Sequence, residues 1–298
     1  MKKTSLLKKL ILDKEILVMP GAHDALSAKI IEQVGFKAVT LGGYAASAAS
    51  LAKPDVSLLT LTEYVNIVRN IVEAVDIPLF VDGDTGHGNV TNVQRTTRLF
   101  EKAGVAGFFI EDQVFPKRCG HMEGKQIIPA LEMIAKIKAA VDARIDQDLV
   151  IMARTDAIAT DGLDEAIERG NRYAEAGADL IFVEAPTSRE EMLRITREIK
   201  APTKAIQIEG GKTPLLTVKE LEELGFNVVV YPNVTVYATA WALKGLWEGL
   251  KKNGSTKHWP DKIIPFDEFN KLVGLDKVRE IETYYYRDLF ESLNQKNK

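Results

Sequence analysis

The sequence predicts an α/β protein with the fold of a (β/α)8 TIM barrel. Short β-like apolar runs alternate with amphipathic helical segments, and about eight such runs match the strand count of that fold. A doubly wound open sheet is the alternative, but no G-x-G-x-x-G motif follows the first run, which disfavours its dinucleotide-binding form. The runs cover residues 16–19, 38–41, 79–81, 107–110, 150–153, 180–183, 204–208 and 228–231.

A weak internal repeat supports the barrel. Four helical segments end in a glycine directly before a strand, as expected where a left-handed residue ends a helix. They precede the second, fourth, sixth and eighth predicted strands, which suggests a two-strand unit, although similar loop chemistry would produce the same pattern. The glycines are Gly35, Gly104, Gly177 and Gly225.

Several helices can be placed individually. Residues 1–14 form a charged amphipathic segment, Thr60 is a helix start signal, and a second helix begins near Asp164. After the eighth strand, residues 236–251 read as an apolar helix with Trp241 and Trp247. Following a connection over 253–265, residues 266–293 read as a helical tail. Its apolar residues, Tyr284 to Tyr286, Leu289 and Phe290, predict that it packs on the barrel or on a neighbouring subunit.

Composition limits the possible functions. The chain has 298 residues, of which 46% are hydrophobic and 27% charged, and a net charge of −3. We expect one barrel domain over 1–298 whose residues 252–298 are a helical extension. The charge gives no footprint for nucleic acid, and no apolar run is long enough to cross a membrane. A single cysteine, Cys119, and a start unlike a signal peptide fit a cytoplasmic protein.

The segment 78–88 carries the first candidate chemistry. A buried strand runs into Asp82 and Asp84, which alternation places on the same side of the chain. Two such carboxylates repel each other unless a proton or a cation lies between them. Without a nearby Cys or His cluster, the fitting cation is Mg²⁺ or Mn²⁺. For this motif alone, a turn in which both aspartates only cap backbone amides is equally compatible.

Acidic residues follow most of the predicted strands. Because the carboxyl ends of the strands form the working face of a barrel, these side chains are expected to converge there. Arg154 is the fixed positive group opposite them, and an arginine beside a cation ringed by acids suits an anionic carboxylate substrate. Any single acid is more simply explained as a cap or a loop residue. The acids are Asp82, Asp84, Glu111, Asp112, Asp156, Glu184 and Glu209, with Asp55 after the second strand.

The most specific motif is Lys117-Arg118-Cys119-Gly120-His121. A lone cysteine is usually a small buried hydrophobic residue. Here its basic neighbours predict a lowered thiol pKa and a role in proton exchange. The alternative is a basic surface loop.

Together these motifs resemble the isocitrate lyase and phosphoenolpyruvate mutase superfamily. The resemblance rests on Asp-x-Asp-x-Gly at 82–86, Glu-Asp-Gln at 111–113, Lys-Arg-Cys-Gly-His at 117–121, Met-Ala-Arg-Thr-Asp at 152–156 and Glu-Gly-Gly-Lys-Thr-Pro at 209–214. It covers residues 20 to about 251. It implies a Mg²⁺-dependent barrel whose eighth helix is exchanged between subunits, a homotetramer built as a dimer of dimers, and a mobile loop over the site.

The resemblance also implies roles for individual residues. Asp82 and Asp84 match the metal carboxylates, joined by Asp55 and Glu111. Gly43 and Tyr44, with Gly42, match the segment that holds the carboxylate of the pyruvate unit. Cys119 matches the catalytic acid of the lyase branch. The expected substrate-binding set further includes Arg154, Lys117, Arg118, Gly120, His121, Glu184, Gln207 and Pro232.

The implied reaction is cleavage of a carbon–carbon bond in a 2-hydroxy dicarboxylate, giving pyruvate and a second carboxylate. Tyr237 stands where methylisocitrate lyases are expected to have an arginine, which favours a 2-alkylmalate such as 2,3-dimethylmalate over a tricarboxylate. Ile206 replaces an expected asparagine, with Gln207 as the other amide. The hydroxyl proton goes to Tyr44 or to an acid near the metal. Methylisocitrate cleavage, oxaloacetate decarboxylation or hydrolysis, phosphonate chemistry and a non-catalytic binding barrel are the alternatives, and no motif encodes the physiological substrate or pathway.

Overall fold

A computed structural model describes residues 1–257 and 259–287 of the chain. Its eight parallel strands form one sheet in the order β1-β8-β7-β6-β5-β4-β3-β2, and a parallel bridge from Gly21 to Thr40 links the two outer strands. The predicted TIM barrel is therefore confirmed. The strands are β1 Leu17–Pro20, β2 Val39–Leu41, β3 Leu79–Asp82, β4 Gly107–Glu111, β5 Val150–Thr155, β6 Leu180–Val183, β7 Thr203–Ile206 and β8 Val228–Tyr231.

The predicted strands agree with these bounds to within two residues. The largest differences are two residues: β5 continues to Thr155 and not only to residue 153, and β7 ends at Ile206 and not at residue 208. The four glycines expected at helix ends all adopt positive φ, between 87° and 107°. Each helix therefore ends where glycine relieves the steric cost of a left-handed residue.

Helices cover the outside of the barrel, and local signals fix where several of them begin. Thr60 closes a capping box with Glu63 at the start of α4, as the sequence predicts. A helix that the sequence analysis did not identify, α3, begins directly after β2. The helices of this part of the chain are α1 Lys3–Ile11, α2 Ala25–Val34, α3 Gly43–Leu51, α4 Leu61–Ala74, α5 Val90–Ala103, α6 Ala130–Ala143, α7 Leu163–Glu175, α8 Arg189–Glu198 and α9 Val218–Glu223. A further helix, α10 Val234–Asn253, begins in this part of the chain and continues beyond it.

Two apolar clusters hold the barrel together. The larger lies between the strands and the surrounding helices, and the smaller fills the barrel interior with side chains such as Met19, Phe80 and Phe109. Leu7 and Ile11 of α1 belong to the interior cluster. The first helix thus closes the amino-terminal end of the barrel, while the carboxyl end stays available for a site.

The chain divides into two compact units, Met1–Ala238 and Thr239–Lys298. In the second unit the described part of the predicted helical tail consists of two helices, because Gly274, at φ 84°, separates α11 Phe266–Leu272 from α12 Leu275–Tyr285. Trp241, Phe266 and Tyr285 are exposed by 78%, 81% and 75%. Leu289 and Phe290 lie outside the described residues, so the predicted packing of the tail, its exchange between subunits and the single domain stay predictions. Among the described helices none is long and apolar enough to span a bilayer.

Candidate active site

Asp82 anchors a group of carboxylates at the carboxyl end of the barrel. Its Oδ2 accepts a hydrogen bond from the Gly43 N–H at 2.9 Å, and its Oδ1 accepts one from the Asp84 N–H at 2.8 Å. Gly43 is confined because an added Cβ would lie 3.1 Å from Asp82 Oδ2 and 3.3 Å from Asp55 Oδ1. The start of α3, β3 and the loop around Asp55 therefore meet at one point.

The Lys117 ammonium lies among these carboxylates. Its Nζ is 2.7 Å from Asp55 Oδ2 and 3.0 Å from Asp84 Oδ1, and the side chain is almost fully buried. Burial works to lower the pKa of Lys117, but Asp84, Asp82 and Asp55 outweigh it and raise that pKa. Burial also disfavours the charged form of the two carboxyl groups, and it therefore raises the pKa of Asp55 and of Asp84. The site thus gathers negative charge that needs a cation.

The oxygen donors of this cluster fit a hard divalent cation, although Lys117 now occupies part of the space. Glu111 is fully buried, and neither of its carboxylate oxygens accepts a hydrogen bond. Burial raises the pKa of Glu111 well above its ordinary value. Among the residues that the structure describes, no three Asp, Glu, His or Cys side chains already form a metal site. Binding a cation would therefore require the Lys117 side chain to move away from Asp55 and Asp84.

Arg154 is surrounded by three carboxylates. Its Nε and Nη2 donate to Asp156 at 2.9 and 3.0 Å, its Nη1 lies 3.1 Å from Glu111 Oε2, and its Nε lies 3.1 Å from Glu184 Oε2. Burial works to raise the pKa of Glu184, but Arg154 and His121 together hold it at about 2. In this arrangement Arg154 orders the acids of the site, and its charge is already matched by them.

The loop that carries Cys119 is fastened at two places. Lys125 Nζ donates to the Gly120 carbonyl at 2.5 Å and to Asp156 Oδ1 at 2.9 Å. His121 Nδ1 accepts a hydrogen bond from the Lys212 N–H at 2.9 Å, so its proton lies on Nε2, 3.1 Å from Glu184 Oε1. The loop is thereby held against β5, β6 and the segment after β7.

Gly120 is required where the loop crosses the site. A Cβ at this position would lie 2.3 Å from Cδ of Glu184 and 2.4 Å from Nη2 of Arg154. Any side chain would push the loop away from the acids.

The prediction of a lowered pKa for Cys119 is wrong. Burial raises the pKa of the thiol, a backbone hydrogen bond at His121 opposes this, and the carboxylates of Glu184 and Asp55 add to the rise. The basic neighbours in sequence point elsewhere: Lys117 pairs with carboxylates, and the Arg118 guanidinium donates to the Glu123 carbonyl at 3.1 Å. Cys119 is therefore a protonated thiol, the state that a proton donor needs.

A cavity of about 60 Å³ opens between these groups. Its size suits a small acid. On one side Tyr44 and Tyr237 meet edge to face, with ring centroids 5.9 Å apart. The cavity is lined by Thr40, Gly42, Gly43, Tyr44, Asp55, Asp82, Phe109, Cys119, Gly120, His121, Arg154, Phe182, Glu184, Lys204, Ile206, Ile208, Val230, Pro232 and Asn233.

Three predicted substrate-binding residues do not line the cavity: Lys117, which pairs with Asp55 and Asp84, Arg118 and Gln207. Gln207 uses its amide on the Ile206 and Pro214 carbonyls and on the Leu216 N–H. Ile206, the last residue of β7, faces the cavity. Gln207 follows it and braces the next loop. Arg118 is exposed and lies on the outer side of its loop, where Gln113 accepts from its N–H and donates to its carbonyl.

From the sequence, Asp156 was only one of the acids expected at the strand ends, and no role was assigned to Lys125 or Lys204. Asp156, Lys125 and Lys204 are all buried and charged. Asp156 had a signal, since it follows Arg154 by two residues. Lys204 also had one, because it interrupts an otherwise apolar or small-residue strand at an inward position. Lys125 had no such signal, because it lies in a glycine-containing loop where a solvent-exposed lysine would give the same sequence pattern.

Comparison with known proteins shows which family the chain is similar to. A family model described as phosphoenolpyruvate phosphomutase matches residues 7–250. A 2,3-dimethylmalate lyase of Eubacterium barkeri is 51% identical over 94% of this chain and 96% of its own. A chloroplastic carboxyvinyl-carboxyphosphonate phosphorylmutase of Arabidopsis thaliana is 48% identical (93% and 83% covered), and a 2-methylisocitrate lyase of Aeropyrum pernix is 41% identical (98% and 94%).

Solved structures match along nearly the whole chain. An oxaloacetate acetylhydrolase in complex with 3,3-difluorooxalacetate superposes with a TM-score of 0.91 at 31% identity, covering 95% of this chain and 97% of that one. A phosphonopyruvate hydrolase in complex with oxalate and Mg²⁺ gives a TM-score of 0.87 at 31% identity, covering 96% and 99%. These relatives share one barrel but have names that describe different reactions.

Proposed function

Because the chain belongs to the phosphoenolpyruvate mutase and isocitrate lyase superfamily and is a carbon–carbon lyase, we propose that it cleaves a 2-alkylmalate such as 2,3-dimethylmalate into pyruvate and a second carboxylate. The observation that carries the proposal is the protonated Cys119 thiol at the edge of a cavity lined by acids. The 51% identity to a 2,3-dimethylmalate lyase supports the choice of substrate.

Mg²⁺ is part of the proposal, with Mn²⁺ as the other hard cation. Asp82, Asp84, Asp55 and Glu111 would hold it, since they bring buried oxygen donors together and Glu111 has both oxygens free of hydrogen bonds. When bound, the metal would supply positive charge that lowers the pKa of a substrate hydroxyl. A Mg²⁺ complex of a structural relative supports this assignment.

The chain's own groups then account for the bond cleavage. The substrate hydroxyl gives its proton to a carboxylate near the metal or to Tyr44. The bond between C2 and C3 then breaks, and its electron pair stays with the C3 fragment as an enediolate. Cys119 delivers its thiol proton to that carbon, giving the second carboxylate. The enediolate must be kept from water until that proton arrives. The fastening of the loop by Lys125 and His121 serves this purpose.

The walls of the cavity fit a small alkylated substrate. Ile206, Ile208 and Val230 provide apolar surface on the β7 and β8 side. These side chains suit methyl groups and offer no partner to a third carboxylate. Tyr237, which lies near Tyr44, cannot carry the positive charge that an arginine would offer a third carboxylate, and burial and Tyr44 raise its pKa to about 12, so that it stays neutral. These features support a dicarboxylate substrate over a tricarboxylate.

Methylisocitrate cleavage is the second candidate, favoured by the 41% identity to a 2-methylisocitrate lyase. The test is a coupled assay of pyruvate release from 2,3-dimethylmalate, other 2-alkylmalates, 2-methylisocitrate, isocitrate and oxaloacetate, with Mg²⁺ and with a chelator. We expect chelator-sensitive release that is fastest with a substituted malate. Equal or faster turnover of 2-methylisocitrate would contradict the proposal. Phosphonopyruvate formed from phosphoenolpyruvate would point to mutase chemistry, as the name of the Arabidopsis relative describes.

A further inference from the structure

Lys204 places an ammonium group inside the barrel beside the cavity. It belongs to β7, pairs in register with Phe182 of β6, and is only 5% exposed. Its Nζ lies 3.7 Å from the ring centroid of Phe182 and 5.2 Å from that of Phe109. The side chain lines the same cavity as Cys119 and Arg154. Neither the mechanism above nor the sequence motifs use it.

Among the residues that the structure describes, this ammonium has no oxygen partner. Four lysines are buried in the described part of the chain, and three of them bond to oxygen: Lys117 to Asp55, Lys125 to Asp156, and Lys136 to the Thr85 carbonyl. Lys204 makes no hydrogen bond and no ion pair within the described residues, and its contacts are the two aromatic faces. Ring faces compensate only part of the cost of burying a charge.

The electrostatics of the cavity agree with this geometry. Burial lowers the pKa of Lys204 to about 7, with Glu184 acting against the shift and Arg154 adding to it. Arg154 itself is matched by Asp156, Glu111 and Glu184. Lys204 is therefore the cation of the cavity whose charge is not already used by a neighbouring carboxylate. An anionic group entering beside it would gain a direct partner without displacing an existing one.

We propose that the Lys204 ammonium binds one carboxylate of a dicarboxylate ligand, and so makes this cavity selective for substrates with a second acidic group. The proposal rests on the proposed function for the identity of the substrate, and names the residue that selects its class. Gly43, Asp82, Ile206 and Val230 line the same cavity, so it offers polar and apolar surface to the rest of such a ligand.

Binding of inert ligands tests the assignment without requiring turnover. Calorimetry in the presence of Mg²⁺ compares succinate with butyrate, which has the same length and one carboxylate fewer. The wild type should prefer succinate by about 10- to 100-fold, the effect of one charge-assisted hydrogen bond in a buried site. Lys204→Met should bind both ligands equally, because it keeps the shape of the stem and removes the charge.

Matched variants distinguish carboxylate binding by Lys204 from the general effect of removing a lysine charge. Lys3→Met, at the opposite end of the barrel where Lys3 Nζ donates to the Val75 carbonyl at 2.5 Å, should keep the full preference for succinate. Lys204→Gln provides a second neutral variant if the methionine protein does not fold. A preference that survives in the neutral Lys204 variants would overturn the proposal, and so would a wild type that binds succinate no better than butyrate. A Lys204-dependent preference without pyruvate release from any substrate would leave this proposal standing and refute the proposed function.

Discussion

The two ends of the barrel differ in the kind of side chain that they bury. At the carboxyl end, charged side chains such as Asp82, Glu111 and Arg154 are buried, and Asp84 and Ala185 adopt positive φ of 48° and 58°. At the amino end, α1 covers the interior with Leu7 and Ile11. Buried charge and left-handed non-glycine residues reduce stability, whereas a filled apolar end adds to it. The difference indicates that the first end is built for chemistry and the second for stability.

Cavity size alone would have suggested that the functional site lies at the amino end of the barrel. A cavity of about 160 Å³ beside α1 is larger than the one at the carboxyl end. Its charged residues Glu15 and Lys37 pair with each other at 2.7 Å in solvent, where such pairs contribute little. Buried, incompletely paired charge therefore locates the site better than volume does.

Cys119→Ser should have the largest effect at the carboxyl end. Loss of the thiol proton donor should reduce turnover of 2,3-dimethylmalate by about 10²- to 10⁴-fold. Affinity for succinate and the melting temperature should remain near the wild-type values, because the hydroxyl keeps the shape of the side chain. Steady-state kinetics and calorimetry on the same protein measure both quantities. A binding protein without catalysis would show no kinetic change.

Leu7→Ala should have the converse effect at the amino end. Leu7 is fully buried in the interior cluster, so its truncation should lower the free energy of unfolding by about 2–5 kcal/mol. The value of kcat/KM at 25 °C should stay unchanged, since the site lies at the other end. Urea unfolding and the pyruvate assay test this pair of expectations. A large loss of kcat/KM in the folded variant would show that the two ends are coupled.

Mg²⁺ should stabilise the protein through the carboxyl end. At a concentration 100 times its Kd, it should raise the free energy of unfolding by about 2.7 kcal/mol. Asp82→Asn should remove most of this increment, whereas Asp13→Asn beside the amino-terminal cavity should retain it. Thermal unfolding with and without Mg²⁺ measures the difference. Equal increments in both variants would place the metal elsewhere.

Lys125→Met should have a smaller effect on turnover than loss of the thiol. Without its bonds to Gly120 and Asp156 the loop should place Cys119 less accurately, reducing kcat by about 10- to 100-fold with little change in succinate affinity. Lys125→Arg should recover part of the loss by restoring a donor to Asp156. A change in KM alone would argue that Lys125 contacts the substrate instead of positioning the loop.

Much of the fold was predictable because strand periodicity and the helix-end glycines are local signals. The convergence of Asp82, Asp84, Asp55 and Glu111 also followed from the barrel, since its strand ends meet on one face. The environment of Cys119 did not follow, because Lys117 and Arg118 are neighbours in sequence that turn toward other partners. The side on which Gln207 and Ile206 lie depends on the register of β7, which a change of one residue would invert and which apolar patterning does not resolve.

The most direct test of the account is to run the reaction with 2,3-dimethylmalate and Mg²⁺ in D₂O and to analyse the products by NMR and mass spectrometry. If the C2–C3 bond breaks and the Cys119 thiol, exchanged with solvent, protonates the C3 fragment, the propionate should carry one deuterium at its α carbon in a single configuration, and the Cys119→Ser protein should form almost none. Propionate with deuterium in both configurations, or equal product from the serine variant, would contradict a proton delivered by Cys119. No cleavage at all would contradict the proposed reaction.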